Sequence, residues 1–191
     1  GNKLRDIPDE QIKSTNPKVV LDNNAAIAVL KDAVALSVGG NGIYYNREKH
    51  PIDAPAYVKD NRTLIPVRAV SEAFGLDVDW DGATQTAIID GKAKIKLGDT
   101  NMILPDGSTY TLDVPAEVEN NRTFLPLRAL CEQILKKDVT WNDRGVIIIS
   151  DKETTLSDAN AETVNNYLLY DRPTAAQIKT LFNEQNNNTH P

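Results

Sequence analysis

The chain has 191 residues, of which 40% are hydrophobic and 25% are charged, and its formal net charge is −6. This length allows one domain or two small ones, and the composition is sufficient for an ordinary apolar core. The negative charge excludes a nucleic-acid partner, because neutralising phosphates requires a basic surface. Since no apolar stretch approaches the roughly 18 residues that cross a bilayer, no membrane span is predicted.

The two ends of the chain and its cysteine content bear on where the protein works. Residues 1–18 are polar and contain two prolines, so we interpret them as an arm or linker. The chain begins with Gly1 instead of Met, so we interpret this end as trimmed and expect that a signal peptide preceded it. The single cysteine, Cys131, excludes an intrachain disulfide framework and is compatible with export.

The first elements after the arm are predicted strands, followed by a helix. A hairpin is predicted over Ala25–Val38, and it should pair with the strands that follow it. A helix is then predicted to begin at Pro66, because proline suits the first helical position, and to end at Gly75, which suits the left-handed residue after a helix. Strict alternation from Asp77 to Asp81 predicts another strand, which contains Trp80.

This pattern then occurs a second time at a constant offset. Asn121-Arg122-Thr123 repeats Asn61-Arg62-Thr63, and 122 − 62 gives an offset of 60. Between Ile52–Glu72 and Leu112–Glu132, 21 aligned positions hold 11 identities. The identical residues are Asp53, Pro55, Ala56, Val58, Asn61, Arg62, Thr63, Pro66, Arg68, Ala69 and Glu72. A period of this length indicates a duplicated supersecondary module.

The repeat predicts the fold class and the domain boundaries. We expect an α+β protein with two tandem modules, each a roughly five-stranded antiparallel sheet packed on one helix. The first module is assigned to residues 19–91 and the second to residues 92–151. The second helix, predicted over Pro126–Ile134, has no glycine at its end and should stop less sharply. Residues 152–191 are predicted to form a helical appendage with a disordered tail.

The order of these motifs resembles that of the copper amine oxidase N-terminal, or stalk, domain family. The resemblance rests on an Asp-x-Pro-Ala strand end, an Asn-Arg-Thr-x-x-Pro-x-Arg-Ala helix start and a following Trp strand, all present twice within residues 25–150. It implies a five-stranded antiparallel sheet wrapped on one helix, and secreted or surface proteins of Gram-positive bacteria. It does not imply oxidase chemistry, because true copper amine oxidases use three histidine ligands in another domain and this chain has only His50 and His190.

The candidate ligand-binding residues are aromatic or cationic. Tyr44 and Tyr45 are adjacent in a predicted strand, so one of them should face solvent and, with Tyr57, offer a stacking surface for a sugar. Arg62 and Arg122 are duplicated cations that either contact an anion or a sugar hydroxyl, or fix the turn beside them.

A second set of duplicated residues is assigned a structural role. Pairs four residues apart, Arg68–Glu72 and Arg128–Glu132, should form ion pairs on the helices. Trp80 and Trp141 are expected to be core anchors, in preference to sugar-binding platforms, because they alternate along their strands with Val78 and Val139. The residues assigned to this structural set are Pro66, Arg68, Glu72, Trp80, Pro126, Arg128, Glu132 and Trp141.

No constellation predicts catalysis, a metal site or a cofactor. The Asp77-x-Asp79-x-Asp81 pattern resembles the start of a calcium loop, but its twelfth position is Ile88, so a solvated strand face is favoured. Cys131 has no histidine near it in sequence and should be a small buried residue. The leading hypothesis is a non-catalytic extracellular or cell-surface spacer or binding module for cell-wall glycan. The alternatives are an adaptor that binds another surface protein through the C-terminal helices, and an accessory domain of a secreted enzyme.

Overall fold

The computed structural model of the chain describes residues 30–169. These residues belong to two compact units, one formed by Asp32–Thr155 and one that includes residues 156–169. The predicted arm, the first strand of the Ala25–Val38 hairpin and the second C-terminal helix lie outside the described residues.

Fourteen strands form three antiparallel sheets in the part of the chain that the structure describes. The strands are β1 Val34–Ser37, β2 Gly42–Tyr45, β3 Glu48–Pro51, β4 Tyr57–Lys59, β5 Arg62–Pro66, β6 Val78–Asp81, β7 Thr86–Ile89, β8 Ala93–Lys96, β9 Asn101–Ile103, β10 Thr109–Thr111, β11 Glu117–Glu119, β12 Arg122–Pro126, β13 Asp138–Asn142 and β14 Val146–Ser150. The helices are α1 Val67–Ala73, a π-helix Ala129–Ile134 and α2 Asp158–Leu169. The prediction of a sheet-rich α+β protein is therefore confirmed.

Each five-stranded sheet contains strands from both predicted repeats. Sheet 1 has the order β13-β14-β1-β2-β3, and sheet 2 has the order β10-β9-β8-β7-β6. The short connection from β7 to β8 turns at Asp90 and Gly91, which both have positive φ, and it lets β7 pair with the strand that follows it. A self-contained sheet within each repeat is therefore not confirmed. Strand β1 pairs with β2 of the first repeat as expected, but also with β14 of the second.

Sheet 3 joins the two repeats through the order β11-β12-β5-β4. In the pairing of β5 with β12, Ile65 lies opposite Leu125, and 65 + 60 = 125, so the two residues are repeat equivalents. Both are fully buried in the main core. An approximate two-fold axis therefore passes through this pair and relates the elements of one repeat to those of the other.

Both repeat helices begin directly after a strand that ends in proline. Pro66 has the extended conformation, with φ −71° and ψ 121°, and precedes the first helical residue. Pro126 is likewise the last residue of β12, and Leu127 and Arg128, which lead into the π-helix, are already helical. The prediction that these prolines begin the helices is wrong, because a proline φ suits an extended residue as well as a helical one. The apolar stripe is confirmed for Val67 and Val70, which are buried.

The C-terminal helix α2 begins after a capping serine. Ser157 precedes it, and the Ser157 Oγ accepts a hydrogen bond of 3.2 Å from the backbone N–H of Asn160, as a helix-capping serine does. Val164 and Leu168, which belong to the predicted apolar stripe, are buried.

The two repeat helices end in the same kind of turn, although only the first has a glycine there. Gly75 has φ +82°, and the Leu76 N–H donates to the Ser71 carbonyl at 3.0 Å. After the π-helix, Lys136 has φ +58°, and the Lys137 N–H donates to the Cys131 carbonyl at 2.8 Å. The second helix therefore ends as sharply as the first, contrary to the expectation from its sequence.

We expect Lys136→Gly to stabilise the protein. A left-handed backbone costs a residue with a Cβ about 1 kcal/mol relative to glycine, so the free energy of unfolding should rise by about that amount. Gly75→Ala is the matched control and should lower it by about 1 kcal/mol, because a Cβ at Gly75 meets no atom within 4 Å and only the backbone is strained. Urea unfolding measures both, and an unchanged or lower stability of Lys136→Gly would contradict the argument.

Candidate functional site

The two tryptophans are partly exposed, so the prediction that they anchor the core is wrong. Trp80 is 45% exposed and Trp141 is 39% exposed. Each lies on an edge strand, β6 of sheet 2 or β13 of sheet 1. Val78 and Val139 precede the two tryptophans by two residues, so each lies on the same face of its strand as the tryptophan. Both valines are buried and complete the core there. The tryptophans extend beyond that boundary towards solvent.

Trp80 lines a groove with a volume of about 910 Å³, which we call the Trp80 groove. The lining residues that matter for the argument are Tyr45, His50, Arg68, Trp80, Val118 and Arg122. These residues come from both repeats, so the groove exists only because the two repeats pack together.

Three open sheet edges meet at this groove. Strand β3 is an edge of sheet 1, β6 is an edge of sheet 2 and β11 is an edge of sheet 3, and residues of all three line it. The Val78 carbonyl on β6 accepts a hydrogen bond of 2.6 Å from Arg68, so this backbone group points away from β7. The backbone groups of Trp80, two residues later, point the same way by the alternation of an antiparallel strand. The groove therefore combines side chains with strand-edge backbone.

The charged groups at the groove are held in pairs. Arg122 makes two hydrogen bonds to Asp53, one of 2.6 Å from Nη2 and one of 3.2 Å from Nε. Arg68 binds Glu72 at 3.3 Å, which confirms the predicted pair four residues apart. The groove thus presents both signs of charge at fixed positions and has no large excess of either.

An aromatic pair lies at another part of the lining. The rings of Tyr45 and His50 stack with centroids 3.9 Å apart and an interplanar angle of 17°. The His50 Nε2 is 3.3 Å from the Tyr45 carbonyl oxygen and 3.9 Å from the Glu48 carboxylate. Together with the exposed indole of Trp80, this pair gives the groove two flat aromatic surfaces.

The structure brings together two of the five predicted ligand-binding residues. Tyr45 and Arg122 line the Trp80 groove. Tyr44 is buried, and burial raises its pKa, so one tyrosine of the adjacent pair faces outward as expected. Arg62 binds Asp113 of the other repeat at 2.8 Å, and Tyr57 lies in sheet 3.

Of the six groove residues named above, the four that the sequence did not identify as ligand-binding are His50, Arg68, Trp80 and Val118. A signal for the exposure of Trp80 was present in Asp77, Asp79 and Asp81, because charges along a strand are typical of a sheet edge. These three aspartates are all exposed, as predicted for a solvated strand face.

Tyr57 contacts the residue that is its own repeat equivalent. The Tyr57 hydroxyl donates a hydrogen bond of 2.9 Å to Glu117, and 57 + 60 = 117. Lys59 donates to the second carboxylate oxygen of Glu117 at 2.7 Å. The Lys59 hydrogen bond lowers the pKa of Glu117, and burial together with the Glu117 hydrogen bond raises the pKa of Tyr57. These contacts tie the two edge strands of sheet 3 together across the two-fold axis.

The described residues contain no group of three or more histidine, cysteine or acidic side chains that could hold a metal ion. Cys131 is fully buried, and burial raises the pKa of its thiol. Within residues 30–169, no helix has the length and apolar character required to cross a membrane.

Comparison with known proteins relates the chain to one family of domains. The sequence model of the copper amine oxidase N-terminal domain matches residues 11–89, 44–150 and 104–167. A Brevibacillus choshinensis protein named as a protease inhibitor is 28% identical over 150 residues, which is 76% of this chain and 43% of that protein. The chain therefore spans less than half the length of this relative. No solved structure matches the chain.

We expect the Tyr57–Glu117 contact to stabilise the fold in a pH-dependent way. Tyr57→Phe removes one partly buried hydrogen bond and should lower the free energy of unfolding at neutral pH by about 1 kcal/mol. Glu117→Gln should lower it too. Because the folded state lowers the pKa of Glu117, its contribution is present above the ordinary value of 4.5 and is lost as the pH falls through the folded value.

The measurement is urea unfolding of the wild type and Glu117→Gln from pH 7 to pH 3. The stability difference should shrink below about pH 4.5. Asp143→Asn, an exposed change in the turn between β13 and β14, is the matched control and should show little effect. A difference between the wild type and Glu117→Gln that does not depend on pH would refute the charged role of Glu117.

Proposed function

The chain belongs to the copper amine oxidase N-terminal domain family, and we propose from that premise that it is a non-catalytic extracellular or cell-surface module. In this proposal it acts as a spacer and binds cell-wall polysaccharide on a Gram-positive bacterium, with the Trp80 groove as the binding site. The observation that carries the proposal is the exposed indole of Trp80 beside the stacked rings of Tyr45 and His50.

The chemistry of the groove suits a sugar. The apolar face of a pyranose ring packs on an aromatic ring, and Trp80 and Tyr45 supply two such rings in one concave surface. The Asp53–Arg122 pair supplies a carboxylate and a guanidinium at the groove. The carboxylate accepts hydrogen bonds from sugar hydroxyl groups, and the guanidinium donates hydrogen bonds to them. Because both signs of charge are present, the groove favours a neutral or weakly charged glycan.

The spacer role is supported by the exchange of strands between the repeats. Each five-stranded sheet takes strands from both repeats, and sheet 3 joins β5 to β12. Relative motion of the repeats would break strand pairing in all three sheets, so residues 34–150 should move as one body. A rigid body of this kind suits a module that holds other parts of a surface protein at a distance.

Protein binding at the same groove is the second candidate function. It is favoured by the three sheet edges at the groove, since an extended peptide can add to an open edge through backbone hydrogen bonds. The relative named as a protease inhibitor is consistent with a protein target. An adaptor role of the C-terminal helices, or service as an accessory domain of a secreted enzyme, remains a further alternative.

We expect Trp80→Ala to weaken retention of the chain on insoluble peptidoglycan. An aromatic stacking contact is worth on the order of 1 kcal/mol, so retention should fall at least about fivefold while the cooperative melting transition is kept. Ile103→Ala removes an exposed apolar residue outside the groove and is the matched control. Retention that Trp80→Ala leaves unchanged would place glycan binding elsewhere.

Among the tyrosines, only Tyr45 should act directly on binding. Tyr45→Ala should reduce retention about fivefold, because its ring lines the groove. Tyr44→Ala should lower the melting temperature instead, because Tyr44 is only 7% exposed. If no polysaccharide retains the wild type but the chain inhibits a protease, the second candidate replaces the first.

A further inference from the structure

The second tryptophan occupies the position equivalent to Trp80. The chain has two tryptophans, and both lie partly exposed on edge strands of five-stranded sheets. Trp80 is on β6 and Trp141 is on β13, which the two-fold axis relates to each other. A buried tryptophan is explained by packing, but the core beneath Trp141 is already closed by Val139. Packing therefore does not account for an exposed indole at both positions.

The charged groups around the two tryptophans also correspond. Arg62 makes two hydrogen bonds to Asp113, one of 2.8 Å from Nη2 and one of 3.1 Å from Nε, as Arg122 does to Asp53. Arg128 binds Glu132 at 2.7 Å, as Arg68 binds Glu72. These pairs are the repeat equivalents of those at the Trp80 groove, so the two-fold axis places them around Trp141.

The surroundings of each tryptophan also include an exposed valine. Val118, which is 48% exposed on β11, lines the Trp80 groove, and its equivalent Val58 is 55% exposed on β4. Strand β4 is an edge of sheet 3, as β11 is, and β10 and β13 are the remaining edges of sheets 2 and 1. The six sheet edges thus fall into two sets of three, which the axis exchanges.

The two surfaces differ in the segment after β14, whose Glu153 and Thr154 N–H groups donate to the Asp138 and Thr140 side chains of β13, and in the aromatic stack. Next to β2 and β3, the Ile52 N–H donates a hydrogen bond to the Asn41 carbonyl. The Leu112 N–H donates in the same way to the Thr100 carbonyl next to β9 and β10. This correspondence aligns β2 and β3 with β9 and β10. In that alignment the stacked pair of Tyr45 and His50 is replaced by Leu104 and Tyr110. The surface around Trp141 keeps two aromatic rings but lacks the stack, so its affinity should be lower.

We propose that Val58, Arg62, Asp113 and Trp141 form a second glycan-binding site, so that one chain binds two segments of a polysaccharide. This inference rests on the proposed function and goes beyond it, because it makes the chain bivalent. Two weak sites on one rigid body bind an insoluble polymer more tightly than either site alone, since the second contact is intramolecular. Bivalence of this kind suits attachment to a wall that offers many copies of the same sugar.

The test uses the two indole N–H signals of the ¹⁵N-labelled full chain in a two-dimensional NMR spectrum. Trp80→Phe and Trp141→Phe assign the signals, because each variant removes one of them. A soluble β-1,4-linked N-acetylglucosamine hexasaccharide is then titrated into the wild type. We expect both indole signals to shift and saturate, with a several-fold weaker apparent Kd at Trp141.

Matched variants on the edge strands of sheet 3 locate each response. Val58→Asn should weaken the Trp141 response and leave the Trp80 response unchanged, and Val118→Asn should do the reverse. On insoluble peptidoglycan, Trp80→Ala and Trp141→Ala should each reduce retention about tenfold or more. This reduction should be larger than the reduction in affinity for the hexasaccharide. Ile103→Ala should change none of these quantities.

The outcomes separate this inference from the proposed function. A shift confined to Trp80 overturns the second site and leaves the proposed function standing. A Trp141 shift that Val58→Asn does not reduce also overturns it, because the response then arises elsewhere. If neither indole responds and the wild type is not retained on peptidoglycan, the proposed function fails and the second site fails with it.

Discussion

The pairing of β5 with β12 is the interaction on which the rest of the structure depends. It places Ile65 against its own repeat equivalent, Leu125, in a fully buried position, and so fixes a two-fold relation between the repeats. The reciprocal ion pairs of Arg62 and Arg122 follow from that relation, because each arginine reaches the aspartate of the other repeat. The Trp80 groove follows too, since its lining comes from both sides of the axis. Loss of this pairing would divide sheet 3 into two separate hairpins, β4–β5 and β11–β12.

The exchange of strands has a simple cause in the order of the chain. Sheet 2 is a meander of consecutive strands from β6 to β10, joined by short turns, and local pairing of this kind forms easily. Sheet 1 must then be completed by strands from opposite ends of the compact unit, β1–β3 with β13 and β14. The strands of the two sheets are repeat equivalents. In sheet 1, however, a much longer stretch of chain separates β1–β3 from β13 and β14. Pairing of β1 with β14 therefore carries the larger loop-closure entropy and should be the later step in folding.

Much of the local structure could be predicted from the sequence, and the pairing between elements could not. The helix stripe at Val67 and Val70, the end at Gly75 and the ion pair of Arg68 with Glu72 depend on residues close in the chain, so periodicity and turn chemistry were sufficient. Which strands pair depends on long-range contacts that alternation does not encode. The exposure of Trp80 was missed for the same reason, because a strand becomes an edge only through the order of the whole sheet.

Divergence between the two repeats is explained by distance from the axis. A residue near the axis meets its own equivalent, and two glutamates there would repel each other, so Tyr57 and Glu117 form a complementary pair of different residues. Away from the axis a residue no longer meets its own equivalent, and there the tryptophan, valine, arginine and aspartate are the same in both repeats. The arginine–aspartate pairs contribute little to folding, since exposed ion pairs contribute about 1 kcal/mol or less. The stability of the fold also gives no reason for two exposed tryptophans. The identities that packing leaves unexplained are thus the ones that line the groove, and a ligand-binding role accounts for them.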